Sequence, residues 1–156
     1  MATVTCYLRA SVDEVFDVIS DPRTYPQWLV GAREIRSIDD GWPAVGTKFH
    51  HRVGLVGPVT VADNSEVVAI GAPGTLVLEV RARPLGRGRV TFTLTEEPTL
   101  DGRPLTHLTM DEVPIGAMAP LRPVLDPPTV GRNRTSLNAL VAYLNTPPAA
   151  RDRDSA

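Results

Sequence analysis

Apolar and polar residues alternate through much of this chain, and the exceptions fall near its two ends. Thr3–Ala10 alternates, with Val4, Cys6, Leu8 and Ala10 on one side, and predicts a first strand. Ser11 follows, three residues before Glu14, at the spacing of a capping box. Val12, Val15, Phe16 and Ile19 then recur at helical spacing, while Asp13, Glu14 and Asp17 face away. The early acids suit the positive end of a helix dipole. Asp21-Pro22 stops this helix, because proline disfavours helical backbone in the residue before it. Thr24–Leu29 reads as a further short helical turn.

Six more strands are predicted. Glu34–Ile38 leads into the Asp39-Asp40-Gly41 turn, and Thr47–Val53 leads into a Gly54–Pro58 connection. Val59–Ile70 is long enough to need a bulge or bend, which leaves the facing of Asp63 and Glu66 open. Beyond the Gly71–Gly74 turn, Thr75–Ala82 places Leu76, Leu78, Val80 and Ala82 on one face. Leu85–Gly88 reads as a turn. Arg89–Thr95 then sends Val90, Phe92 and Leu94 inward and Thr91, Thr93 and Thr95 outward. Leu100–Pro104 turns again, and Leu105–Val113 is the last strand. Clean alternation with short turns implies antiparallel strands with one solvated face.

The prolines of Val113–Leu125 argue against a regular helix or a central strand there. Asp126-Pro127-Pro128 opens a final helix, since proline suits a first turn. Val130, Leu137, Val141 and Leu144 share one stripe, flanked by Leu140, and Pro128–Leu144 would span roughly 25 Å. The order predicts an α+β fold. A curved seven-stranded antiparallel sheet grips a long C-terminal helix, with one or two short helices between the first and second strands. A curved sheet cannot touch a straight helix everywhere, so a cavity is expected between them.

Composition narrows the class. At 156 residues the chain fits one domain, expected over residues 1–145, with a disordered tail over 146–156. A net charge of −2 supplies no field for nucleic acid, and no apolar run is long enough to span a bilayer. The start lacks a secretory pattern and Cys6 stands alone, so a cytoplasmic protein is expected. No metal or cofactor motif is present: there is no HExxH, no CxxC and no GxSxG.

Ala10–Trp28, His50–Pro58, Thr75–Pro84 and Asp126–Leu144 together resemble the START-related superfamily, also called SRPBCC or polyketide cyclase-like, over about Thr3 to Leu144. The resemblance implies the helix-grip fold and a deep apolar pocket between sheet and terminal helix. Similar proteins include aromatic polyketide cyclases, lipid and sterol carriers and quinone-binding chaperones. It also implies that Tyr25, Trp28 and Trp42 close one end of the pocket, where the plainer reading is aromatic anchoring of loops.

Parity and helical spacing supply the candidate site. Phe49, His51, Val53, Leu78, Val80, Phe92, Leu94 and Met110 are expected to line the pocket with Trp28 and with Val130, Asn133, Arg134 and Leu137 of the helix. Arg134 falls within the helical stripe and Asn133 at its edge, so either could orient a ligand, or snorkel, or hold a loop. His50 and His51 point to opposite faces and cannot share a metal. His51 could serve as general acid or base, or simply as a hydrogen-bonded pocket residue. Glu112 follows the Leu108–Met110 parity; desolvation there would raise its pKa, unless water or Arg134 meets it. His107 is placed on the solvated face, and Cys6 is an inert small hydrophobe. Arg81, Arg83, Arg87 and Arg89 form a basic edge that deters strand-on-strand pairing. The apolar 113–125 stretch could act as a gate, a homodimer patch or a packed connection.

The primary expectation is binding of an apolar or aromatic small molecule, polyketide-like, lipid or quinone. The alternative is an aromatase/cyclase-like enzyme using His51, Glu112 and Arg134. A groove for a partner segment is a third class.

Overall fold

The computed structural model describes residues 1–56, 59–82 and 86–151, with the side chains of 53–56, 59, 82 and 149 outside the description. β1 (Ala2–Leu8) is followed by α1 (Val12–Ser20), a 3-10 turn over Pro22–Thr24, and the single-turn helix α2 (Tyr25–Trp28). Then come β2 (Ala32–Ile38), β3 (Lys48–Val56), β4 (Val59–Gly71), β5 (Thr75–Ala82), β6 (Gly86–Glu96) and β7 (Thr106–Ile115). A 3-10 segment (Gly116–Leu121) leads into α3 (Arg122–Asn145), and α4 (Pro148–Arg151) follows. The seven strands form one antiparallel sheet in the order β1-β7-β6-β5-β4-β3-β2. The architecture is the α+β helix-grip that the strand and helix order predicts.

α1 starts and stops for identifiable reasons. Ser11 Oγ accepts from Glu14 N, and Glu14 Oε2 accepts from Ser11 N, completing the capping box. Val15, Phe16 and Ile19 are buried. At the other end the carbonyls a helix leaves unpaired all find donors. Ser20 Oγ donates to Asp17 O, Thr24 Oγ1 to Val18 O, Tyr25 OH to Ile19 O and Trp42 Nε1 to Ser20 O. The 3-10 turn and α2 thus form a plug locked onto the C-terminus of α1.

Several boundaries differ from expectation. Gly54–Val56 continue β3 rather than forming a connection, and Gly86–Gly88 open β6 rather than a turn. β7 runs through Pro114, because β1 reaches only to the Ala2–Glu112 pair. Beyond that pair β7 has an open side, where a strand proline is tolerated. α3 begins at Arg122, four residues before Asp126, with Pro123 in its first turn and Pro127 and Pro128 inside it. The carbonyls those two prolines leave unpaired belong to Pro123 and Val124, both exposed to water. Thr146–Arg151 depart from the expected disordered tail. Arg151 donates to Thr146 O and Leu144 O, closing the end of α3. Residues 152–156 lie outside the described residues.

α3 packs chiefly along β1, β7, α2 and the 3-10 segment, at one side of the sheet. Its buried positions are Asn133, Ser136, Leu137 and Leu140. At 100° per residue this face is rotated by about 60° from the apolar stripe read from the sequence. Arg134 is therefore exposed, not inside the stripe. The reason is chemical: Asn133 and Ser136 are polar yet buried, so an apolar stripe omits them and misplaces its centre. Ser136 Oγ accepts from Val30 N and donates to Arg132 O, tying α3 to the plug.

Candidate ligand site

Cross-strand register sorts the inner face into rows. Leu76, Phe92, Met110 and Val4 form one row. Val67, Leu78, Val90, Glu112 and Ala2 form the next. Phe49, Ser65, Val80, Gly88 and Pro114 form a third. The first row is fully buried, with Leu94 and Leu108 beside it. In the second and third rows Val80, Gly88, Glu112 and Pro114 keep partial exposure although they lie on the inward side. Burial is complete toward the α1–α2 plug and partial at Val80 and Gly88.

The plug end is aromatic. Tyr25 meets Trp28 and Phe49 edge-on, at centroid distances of 5.2 and 5.3 Å. Trp42 meets Phe49 at 5.2 Å, and Trp28 reaches Phe92 at 6.3 Å. Their polar tips are spent inside this cluster. Trp28 Nε1 donates to Thr24 Oγ1, and the Tyr25 and Trp42 donors cap α1. Burial pushes the Tyr25 phenol well above its ordinary range, with Asp21 adding to the shift. Phe92, Leu94, Met110 and Leu78 are buried, facing inward as their strand parity predicts, and Trp28 and Leu137 of the helices are buried with them. Val130 is partly buried against this core. The side chain of Val53 lies outside the described residues.

Two polar groups interrupt the apolar inner face. On β3 and β4, His51 is the register partner of Asp63, and its Nε2 lies 3.1 Å from Ser65 Oγ. All three are buried. Burial lowers the His51 pKa; the Asp63 charge opposes that shift and His50 adds to it. The ring is thus kept neutral, and it tilts against Phe49 at 5.1 Å. Across the sheet, Glu112 Oε2 accepts from Arg132 Nη2 and, at 2.9 Å, from Asn133 Nδ2. Asn133 Oδ1 accepts in turn from Arg132 Nε and Nη2 at 3.2 and 3.0 Å. Asn133 is fully buried and every polar atom of its side chain is engaged on these partners.

Sequence reasoning leaves the facing of Asp63 open and misses Ser65 and Arg132. The first two lie on a strand whose bulge, between Val67 and Ala69, hides the facing until the β3–β4 register is known. The partner of Glu112 is Arg132, not Arg134, two positions away on a helix and so on a different side. His107 stacks on Tyr7 at 4.8 Å on the outer face. Burial pushes the Cys6 thiol up to about 11, in keeping with an unreactive residue. Among the described residues no cluster of His, Cys, Asp or Glu could hold a metal, and no helix is long and apolar enough to cross a membrane.

Residues 2–145 match the family described as polyketide cyclase / dehydrase and lipid transport. The chain belongs to this family, within the SRPBCC superfamily. No curated protein matches it. Among solved structures, a Chromobacterium violaceum protein is similar at 15% identity and a TM-score of 0.65, covering 94% of this chain and 100% of its own. A Staphylococcus aureus protein of unknown function is 10% identical, with a TM-score of 0.65 over 92% of this chain and 93% of its own. CalU16 from Micromonospora echinospora is 16% identical, with a TM-score of 0.58 over 98% of this chain and 81% of its own. At such identities these likenesses speak to the fold alone.

Proposed function

We propose that this family member binds an elongated apolar or aromatic small molecule, polyketide-like, lipid or quinone, between the Val80–Gly88 end of the sheet and α3. The observation that carries this reading is the partial exposure of Val80, Gly88 and Glu112 on an otherwise buried face. A sheet face turned toward its covering helix excludes water where the packing is complete. Apolar walls with a few placed polar groups are the usual make-up of a small-molecule site. Here the walls are Val80, Val90 and Leu78, and the polar groups are the His51–Ser65 pair and the Glu112–Asn133–Arg132 cluster.

His51 favours a second reading, an aromatase/cyclase-like catalyst. A neutral imidazole inside an apolar site can take a proton from an acidic carbon between two carbonyls and return it to an oxygen. Ser65 would fix the ring's orientation. Arg134 leaves this scheme, being exposed.

Native mass spectrometry of protein purified from its source tests the binding reading. A non-covalent adduct that disappears on denaturation is expected. Bare protein mass at every gentle condition would count against it.

A further inference from the structure

Gly88 sits in the interior of β6, on the inner face, with no backbone reason to be glycine. Its φ is not positive, unlike that of Gly86 in the same strand. A Cβ built there would meet nothing closer than Val113 O and Val80 Cγ2 at 3.5 Å and Glu112 Oε1 at 3.7 Å, which are ordinary contacts. All three of these nearest atoms belong to the sheet, and none to α3. A strand-interior glycine gives up packing and adds unfolded-state entropy, and one common reason is close approach of another molecule to the backbone.

Glu112 borders the same spot. Both of its hydrogen bonds, from Arg132 and Asn133, end on Oε2. Oε1 accepts none among the described residues and projects over Gly88. Arg132 supplies the neutralising charge. A carboxylate so compensated, with one oxygen free beside an apolar floor, favours a neutral donor over a cation.

We infer that Gly88 and Glu112 form a subsite for a hydroxyl-bearing flat ring, which lies on the Gly88 backbone beside Val80 and donates its O–H to Glu112 Oε1. Ser65 lies in the same cross-strand row two strands away, about 10 Å at the usual strand spacing. The occupant is thus an elongated apolar molecule carrying a phenolic or enolic hydroxyl at the end nearest α3. This rests on the ligand-binding reading above and adds the orientation and the donor chemistry.

Glu112→Gln turns the subsite around. Arg132 and Asn133 both donate toward the Oε2 position, so the amide oxygen is drawn there and the NH2 is left over Gly88. An acceptor becomes a donor with no change in shape. The probes are 2-anthrol and 2-methoxyanthracene, titrated by their own fluorescence. Wild type is expected to bind 2-anthrol at least tenfold more tightly, the scale of one hydrogen bond to a charged acceptor. In Glu112→Gln the ratio should fall to about one or invert. Gly88→Ala should weaken both probes about equally, by fivefold or more, and melt within about 3 °C of wild type because its Cβ fits. Equal wild-type affinities for the two probes, or a ratio unchanged in Glu112→Gln, would overturn the subsite while leaving ligand binding standing. Failure of wild type to bind either probe saturably would overturn the binding reading and the subsite with it.

Discussion

His51 Nε2 lies 3.1 Å from Ser65 Oγ, across the β3–β4 ladder and one inner-face position along from the His51–Asp63 pair. The histidine is held neutral by burial, with a pKa below the ordinary 6.5. As pH falls past 6.5 the unfolded chain protonates this ring while the folded chain resists until its own lower value is reached. Stability therefore declines across that window and levels off below it. Thermal melts of wild type and His51→Gln from about pH 7.5 down to about pH 5 check this. Wild type should lose melting temperature faster than the variant. Parallel curves would show that His51 titrates alike in both states.

Arg132 and Arg134 make a matched contrast. Arg132→Met leaves the Glu112 carboxylate half-buried with Asn133 as its one remaining partner, and should cost about 1–3 kcal/mol in urea unfolding. Arg134→Leu touches no buried group and should stay within about 0.5 kcal/mol of wild type, with probe affinity unchanged. A large loss in Arg134→Leu alone would mean that the helix face has been assigned wrongly.

Tyr25→Phe removes the donor to Ile19 O while keeping the ring contacts with Trp28 and Phe49. A buried carbonyl at the end of α1 is then left without its partner. Denaturant titration should register a loss of about 1–3 kcal/mol. No measurable loss would imply that water reaches that carbonyl, and that the plug is looser than described.

Gly86→Ala should behave unlike Gly88→Ala. Gly86 has φ +113°, and an added Cβ would come within 2.4 Å of Met118 Cγ in the 3-10 segment. Backbone strain and the clash together should cost about 1–3 kcal/mol and expose Met118 to oxidation by peroxide. Equal melting temperatures for the two alanine variants would contradict this description of the β6 start.

The fold was legible because alternation, turn residues and one capping box all agreed. Val90, Phe92 and Leu94 against Thr91, Thr93 and Thr95 leave no doubt about facing. The site was harder to read for two physical reasons. A bulge in β4 between Val67 and Ala69 conceals that Ser65 and Asp63 join His51, since the extra residue puts the apolar Ile70 beyond it out of parity with them. On α3 the buried face contains Asn133 and Ser136, whose burial depends on Glu112 and on Val30 N, partners more than 20 residues away at the nearest. An apolar pattern cannot register them, and Arg134 was drawn into the stripe as a result. Glu112 could be read because plain parity carried it inward from Leu108 and Met110.

Ligand binding as proposed requires unfilled room above Val80 and Gly88. Val80→Trp puts an indole into that room from a side chain already facing it, and is the most direct test. Titration of 2-anthrol into wild type should saturate at one molecule per chain. The tryptophan variant, with an unchanged far-ultraviolet circular dichroism spectrum, should bind at least tenfold more weakly. Equal saturable affinity in both proteins would show that the molecule lodges elsewhere and would contradict the account.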